Sequence, residues 1–565
     1  MDFTKAAQDT TSAIKLGAGH EAGLKSGGHT LLTRLTTLGE PDDHVRKRPD
    51  PDRIQDYSRT IFSSLPRVRG RQLKLARIRP MTLDPQHCYA ALKSRDSRFD
   101  GGFFVGVSTT GIYCRPICTA RTPKRDNCRF FANAASAERA GFRPCLRCRP
   151  EIAPGVARTV APVDAVRSAA HWLAARIEAG ALNERDGERL AAEYGLSSRQ
   201  LRRALIAEYG VTPIELAQTR RLLLAKQLLT ETTLPLSRVA FASGFSSVRR
   251  FNACFQSHYR LNPGALRKQK GARSEGSIQL QLAYRPPLAW DALRHFLVTR
   301  GAAGVEGVDG ARYLRTVEVN GKRGWISAAP MAGKPALQVE VAVELLPVLT
   351  PLLARLRRMF DLDANPLVIE ELLRGDLHLR PLLRRRPGLR VPGAFDGFEL
   401  ALRAVLGQQI SVKAATTLFG RFAETFGAVA QTPHAQLRRH APLAAEVAQA
   451  RLQRLIDLGL TRQRAATASA LAKAVADGQL VLEPGGASAP TLERMLELPG
   501  IGPWTAQYVA MRALRDADAF PPGDLGLLKA LALDHPRKVV EHAKKWQPWR
   551  AYAAIHLWTE MSAGG

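Results

Sequence analysis

Changes of hydrophobic rhythm divide the chain. From Met81 to about Pro150, apolar residues come in short runs such as Gly101-Gly-Phe-Phe-Val-Gly-Val, broken by polar loops. That pattern predicts short strands around little core. From 161 to 270, Ala, Leu and Arg recur at helical spacing, so this block is predicted all-helical. Strand-like alternation follows from Ile278 to about Glu340, as in Tyr313-Leu-Arg-Thr-Val-Glu-Val and Leu337-Gln-Val-Glu-Val. From Leu345 onward helices dominate, punctuated by Pro and Gly. Residues 151–160 and the polar, basic stretch Lys268–Ser277 are predicted linkers. Residues 1–80 lack sustained periodicity and are predicted disordered or weakly ordered.

The helical block repeats a smaller pattern. Leu190-Ala-Ala-Glu-Tyr-Gly-Leu-Ser-Ser-Arg-Gln-Leu-Arg-Arg-Ala-Leu reads as a helix, a glycine turn and a second helix capped by serine. Val239-Ala-Phe-Ala-Ser-Gly-Phe-Ser-Ser-Val-Arg-Arg-Phe repeats it. Gly195 and Gly244 sit where each turn asks for a positive φ. Arg199, Arg202, Arg203, Arg249 and Arg250 fall on the second helices, the elements that enter a DNA major groove. For one copy, an amphipathic helix pair with solvated arginines is an equal reading; two copies around one connecting helix favour DNA.

Charge points the same way. Lys and Arg total 82 against 51 Asp and Glu, a formal charge of +31 and a pI near 10.5. Such an excess fits a polyanion whose counterions are released on binding. No apolar run reaches the roughly 20 residues of a membrane-spanning helix, so a membrane partner is not expected. Seven cysteines, unevenly spaced and without a signal-peptide pattern, fit a reducing cytoplasm, with the protein on the nucleoid.

Four of those cysteines form two clips: Cys114 and Cys118 as C-x3-C, then Cys145 and Cys148 as C-x2-C. Two short thiolate clips on separate loops suit tetrahedral Zn²⁺. Iron–sulfur ligation is a less common use of the arrangement. The spacing alone admits a purely structural metal clip as well as a reactive one. Cys88, Cys128 and Cys254 stand apart from the motif.

In the C-terminal half, Leu498-Pro-Gly-Ile-Gly-Pro-Trp-Thr-Ala-Gln-Tyr predicts a hairpin between two helices whose backbone N–H groups converge on a DNA phosphate. Gly500 and Gly502 permit close approach, and a monovalent cation is a candidate companion. Downstream, Asp524 follows a Pro/Gly turn and opens a helix. For an isolated Asp there, an N-cap is the default reading.

These motifs carry three family resemblances. The helical block, with Phe251-x3-Phe255-x3-Tyr259-Arg-Leu-Asn-Pro-Gly, resembles the AraC-type regulator domain, in which two such units enter successive major-groove turns. The cysteine block, over about Asp84–Pro150, resembles the Ada-type methyl-acceptor domain: Thr109-Thr-Gly-Ile-Tyr-Cys-Arg-Pro and Ala140-Gly-Phe-Arg-Pro-Cys-x2-Cys fill all four ligand positions. That resemblance implies a zinc-bound thiolate, Cys114, that accepts a methyl group from a DNA methylphosphotriester; Arg115 and Arg121 are candidate phosphate contacts, with a solvated surface position as the other reading of each. No Pro-Cys-His-Arg motif is present, so methyl transfer from O6-methylguanine is not expected.

Leu280 to Trp558 resembles the HhH-GPD glycosylases, specifically AlkA-type 3-methyladenine DNA glycosylases, through Phe360-Asp-Leu-Asp-Ala-Asn-Pro, Leu406-Gly-Gln-Gln-Ile-Ser-Val and the hairpin through Asp524. The resemblance implies that Asp524 stabilises an oxocarbenium-like sugar, with Trp504, Tyr508 and Trp558 walling the base pocket. Trp504 stands where bifunctional relatives carry a Schiff-base lysine, which implies base removal without strand cleavage. Gln409 stands where the family inserts an apolar wedge.

The predicted fold is therefore multidomain α+β. It comprises a 1–80 extension, a small zinc domain with four cysteine ligands (81–152), an all-α double helix-turn-helix domain (158–270), a strand-rich subdomain (278–365) and an all-α helix-hairpin-helix glycosylase domain (366–565). The predicted function is DNA alkylation repair joined to transcription control, acting on double-stranded DNA, with RNA polymerase as an implied further partner. The competing reading is a methyl-sensing regulator whose glycosylase-like half is inactive and only binds DNA.

Overall fold

A computed structural model of the protein describes residues 83–155, 165–184, 187–192, 196–267, 276–484 and 488–563. The 1–80 extension, Gly195 and residues 156–160 and 268–275 of the two predicted linkers lie outside the described residues. Among the described residues the architecture is multidomain and rich in helix, with two small sheets.

The first sheet has strand order β3-β1-β2-β4, from β1 (Phe104–Val107), β2 (Ile112–Cys114), β3 (Cys128–Phe131) and β4 (Arg143–Pro144). β1 pairs antiparallel with β2 and β3, whereas β2 and β4 run parallel, matching Ile112 to Arg143 and Tyr113 to Pro144. This parallel register sets both cysteine clips at one end of the sheet. Cys114 closes β2, Cys145 follows β4, and the Cys145 amide donates to the Tyr113 carbonyl at 2.9 Å.

The helix-turn-helix units use the predicted caps. Ser197 forms a capping box with Gln200 ahead of helix Ser198–Tyr209, and Ser247 caps helix Val248–Tyr259. Gly244 turns at φ +87°, where an added Cβ would meet the Asn183 side chain at 2.4 Å. The connecting helix Pro213–Glu231 is buried on nearly all sides because it packs against the cysteine domain, both helix pairs and the second sheet.

That second sheet is an antiparallel run, β5-β9-β8-β7-β6, formed by Ser277–Ala283, Ala336–Ala342, Lys322–Pro330, Arg312–Val319 and Glu306–Asp309. Its inward residues share one hydrophobic core with the second helix-turn-helix unit: Leu228, Val239, Phe251 and Phe255 belong to the same cluster as Leu280, Ile326 and Val339. The strand-rich subdomain is therefore packed onto the second helix-turn-helix unit, an arrangement that no periodicity in the sequence announces.

Buried polar contacts staple the units further. Lys226, 1% exposed, pairs with Glu151 at 2.5 Å and reaches the Cys145 carbonyl at 3.4 Å. Arg149 bridges Glu151 and Glu231, and Glu231 accepts from the Gln281 amide at the start of the glycosylase-like half. Removing one partner of such a pair strands a buried charge, so these contacts fix geometry more than they add stability.

Glu138 is a third staple. Its Oε1 accepts from the hydroxyls of Tyr113 and Tyr259 at 3.0 and 3.3 Å, and its Oε2 from Thr219 at 2.7 Å. It thus joins the cysteine domain to the connecting helix and to the second reading helix. Burial lifts its pKa from 4.5 to about 7, and the three hydroxyls only partly offset that. The folded protein therefore holds the proton more tightly than the unfolded chain. This contribution is complete below the unfolded value and is lost as pH rises from 4.5 through 7. Glu138→Gln keeps hydrogen-bonding capacity without the charge. It is expected to be more stable than the parent at pH 8, by up to about 2–3 kcal/mol, and no more stable at pH 4. Urea unfolding at the two pH values checks this.

Candidate functional site

The four thiol sulfurs of Cys114, Cys118, Cys145 and Cys148 lie within 4.8 Å of one another. Zn–S bonds of about 2.3 Å require sulfur–sulfur edges of about 3.8 Å, so the donor set fits a tetrahedral Zn²⁺. The environments differ. The Arg115 amide donates to Cys148 Sγ at 3.3 Å, and the amides of Ala120 and Cys148 point to Cys118 and Cys145. Cys114 takes none of these three amides. An N–H donor withdraws electron density from sulfur, and these three donors fall on Cys148, Cys118 and Cys145. Cys118 and Cys145 are buried, and Cys114 and Cys148 are both partly exposed. Cys88 and Cys128 sit in the small core behind the sheet, away from this cluster.

Arg115 departs from its expected place. It is 4% exposed: its Nε and Nη2 grip the carboxylate of buried Asp100, and Nη1 donates to the Cys148 carbonyl at 3.1 Å. A guanidinium enclosed in this way is a brace for the second clip and is turned from solvent, which corrects the expectation of a phosphate contact. Arg121, by contrast, is exposed. Arg199, Arg202, Arg203, Arg249 and Arg250 are likewise exposed on their helices, while Phe251, Phe255 and Tyr259 face inward with 0–1% exposure.

In the C-terminal half, the hairpin joins helices Ser488–Leu496 and Pro503–Arg512. Gly500 turns at φ +83°, and a Cβ there would fall 2.2 Å from Thr467 Oγ1, so this position requires glycine. Gly502 caps the second helix without a side chain. Trp504, on the first turn of that helix, meets Asp524. The Trp504 indole Nε1–H donates to Asp524 Oδ2 at 2.8 Å, and the Trp558 indole donates to Oδ1 at 2.8 Å. Asp524 also caps helix Leu525–Ala530 by accepting from the Leu527 amide. The capping and functional readings of Asp524 are therefore compatible. Three N–H donors orient an anionic carboxylate at the edge of an aromatic wall.

The wall has an order that the sequence does not give. Trp504 and Tyr508 are stacked, with ring centroids 5.2 Å apart and planes at 10°, and Trp558 is tilted 6.2 Å from Tyr508. An inserted base needs roughly 7 Å between flanking planes, so Trp504 and Tyr508 form one face and not two jaws. Burial alone would raise the Tyr508 pKa, but Arg512 and Arg300 outweigh it and hold the phenol below its ordinary range. Arg512 and Gln408 are further site residues that motif reading missed; Gln408 donates to the Gly500 carbonyl. Gln409, at the expected wedge position, is exposed with φ +59°.

The two indole contacts lead to a test. Trp558→Phe keeps the ring and removes the N–H, and a hydrogen bond to a charged group contributes about 1.5–3 kcal/mol. Base release under single-turnover conditions is expected to slow by about tenfold or more, with abasic-duplex affinity unchanged.

Sequence-family models match in four consecutive blocks: the metal binding domain of Ada at 87–151, a helix-turn-helix domain at 190–269, the AlkA N-terminal domain at 279–396, and the HhH-GPD superfamily of base excision DNA repair proteins at 402–547. The chain is 39% identical over 492 residues to a probable bifunctional transcriptional activator/DNA repair enzyme AlkA of Mycobacterium tuberculosis, covering 85% of this chain and 97% of that one. It is 34% identical over 277 residues to DNA-3-methyladenine glycosylase 2 of Escherichia coli, covering 49% of this chain and 95% of the relative. It is 52% identical over 63 residues to the Escherichia coli bifunctional transcriptional activator/DNA repair enzyme Ada, covering 11% of this chain and 18% of the relative. Among the described residues, no helix is long and apolar enough to cross a membrane. A match that runs through all four blocks and nearly the whole mycobacterial relative places this chain in the family of bifunctional AlkA-type transcriptional activator/DNA repair enzymes.

Proposed function

We propose that this chain removes alkylated bases from DNA, accepts a methyl group from DNA methylphosphotriesters, and uses that methylation to control transcription. The observation that carries the glycosylase reading is the Asp524 carboxylate, held by two indoles beside the Trp504–Tyr508 face and next to the hairpin. Alkylated purines such as 3-methyladenine and 7-methylguanine are cationic and are good leaving groups. Little acid catalysis is then required. The aromatic face binds the flipped base by stacking and cation–π contact, and the Asp524 anion stabilises positive charge on the sugar and directs water to C1′. With tryptophan at position 504 and no lysine there, the reaction ends at base hydrolysis.

Cys114, Cys118, Cys145 and Cys148 would hold Zn²⁺, which would keep all four sulfurs deprotonated at neutral pH. The Cys114 thiolate attacks the methyl carbon of the phosphotriester in line. An S–C bond forms, the C–O bond breaks, and the phosphodiester leaves with the electron pair and a negative charge. The product thioether has no easy route back, so transfer is stoichiometric. It removes one negative charge from the cluster and so lowers repulsion from the DNA backbone. Arg121 and the exposed arginines of the two reading helices are the proposed DNA contacts. Contact with RNA polymerase and a nucleoid location in the cytoplasm follow from the regulatory reading.

Incubation with methylated duplex DNA tests both activities in one sample, by free methylated base in solution and labelled methyl on protein. Methyl transfer without base release would favour the rival reading, a methyl-sensing regulator with an inactive, DNA-binding glycosylase-like half. Base release without transfer would reduce the front half to DNA anchoring.

A further inference from the structure

Gln408 and Gln409 occupy the loop between helices Gly397–Leu406 and Val412–Phe426. Gln409 is exposed, and its φ of +59° is a conformation that a non-glycine residue holds only when its neighbours impose it. On one side, Ser411, two residues on, is fixed as the cap of the next helix, accepting from the Ala414 amide. On the other side is Gln408. Its Nε2 donates to the Gly500 carbonyl at 2.9 Å and to Thr505 Oγ1 at 3.2 Å. Gly500 lies at the tip of the hairpin, with Thr467 standing where a side chain would have to go. Thr505 is 3% exposed and follows Trp504, whose indole holds Asp524. One side-chain amide therefore ties the Gln409 loop to the hairpin and to the aromatic face, across 92 residues of sequence.

We infer that Gln408 is a positioning residue that sets the separation between the Gln409 wedge and the hairpin, and so determines whether a base still paired in duplex DNA can be extruded. The inference rests on the glycosylase reading above, with Gln409 in the wedge role that the resemblance implies. Extrusion from an intact pair costs a few kcal/mol and much less from an unpaired site. A wedge offsets that cost only if it enters the stack while the hairpin grips the neighbouring phosphate, which requires a fixed distance between the two. Asp524 has its own donors, Trp504, Trp558 and the Leu527 amide, so bond cleavage does not depend on Gln408. Its loss should therefore weigh on paired lesions and spare unpaired ones.

The test uses the full chain with Gln408→Ala and Gln408→Glu. The glutamate has the same length but cannot donate to the Gly500 carbonyl. Single-turnover base release is measured for one methylated purine in a fully paired duplex and in a bulge. Extrusion is followed separately by the fluorescence of 2-aminopurine beside the lesion, in an Asp524→Asn background where chemistry is suppressed. Both variants are expected to lose about tenfold or more on the paired lesion, the worth of one hydrogen bond of about 1.4 kcal/mol. On the bulge they should stay within about threefold, and the fluorescence rise should fall in parallel with the paired rate. Equal losses on both substrates would overturn the inference, because they would place the damage in the pocket wall through Thr505. Full activity of Gln408→Glu would also overturn it, since only packing would then matter. If the parent releases no base yet shows a fluorescence rise that both variants lose, the glycosylase reading fails and the positioning role stands.

Discussion

Asp524→Asn is expected to cut the release of 3-methyladenine by about 10²–10³-fold or more, the range found when one preorganised electrostatic stabiliser of a transition state is removed. Affinity for duplex DNA should barely change. The substitution is a sharp one because the side chain serves two purposes. Asparagine still offers an oxygen to the Leu527 amide, so the helix Leu525–Ala530 keeps its cap and the fold survives. What is lost is the negative charge, and with it the attraction to a sugar that becomes cationic as the base departs. The asparagine NH₂ must also face an indole N–H of Trp504 or Trp558, where the carboxylate accepted from both, so the remaining dipole is misaimed. Free base quantified from methylated duplex under single-turnover conditions, with binding measured on an abasic duplex, separates the two effects. A variant that releases base at the parental rate would rule out Asp524 as the stabilising anion.

Cys114→Ser is expected to abolish methyl transfer outright, because a covalent acceptor has no partial substitute; the parent should take one methyl per chain. The other cysteines should behave differently. Cys145 is buried and follows β4, whose partner strand β2 ends at Cys114, so Cys145→Ala removes a metal ligand from a domain with little core of its own. It should lose both transfer and the fold of the cysteine domain. Mass spectrometry of the protein after exposure to methylated DNA, with zinc content measured alongside, distinguishes acceptor from structural ligand. In the parent, methylation should tighten duplex binding at low salt. That gain should shrink as ionic strength rises, since a single charge is screened over about 8 Å at 0.15 M. Transfer to Cys118, Cys145 or Cys148 in place of Cys114 would contradict the assignment of Cys114 as the acceptor.

Much of this was legible in the residues themselves. Two thiolate clips are short because both sulfurs of each must reach one metal ion, so their spacing survives translation into three dimensions. Ser197, Ser247 and Gly244 announce helix ends because capping is local chemistry that involves residues three or four apart. Gly500 advertises a turn because no other residue takes that backbone conformation so close to Thr467. Arg115 shows the limit. The sequence offers it as a candidate phosphate contact, but Asp100, brought close by the fold, encloses it.

The sequence alone determined the chemistry on offer and the local elements that carry it: four soft ligands, two serine-capped reading helices, a glycine hairpin and an aspartate opening a helix. Those depend on neighbours within a turn or two of chain. The tertiary structure decided which groups meet. It set Trp504 and Trp558, 20 and 34 residues from Asp524, on the two oxygens of one carboxylate. It aimed the Gln408 amide at Gly500, enclosed Arg115, and merged the second reading unit with the glycosylase-like sheet in one core. Such contacts are selected by burial and by the need to satisfy every buried polar group. Both are properties of the packed chain as a whole, which residue patterns do not encode one segment at a time.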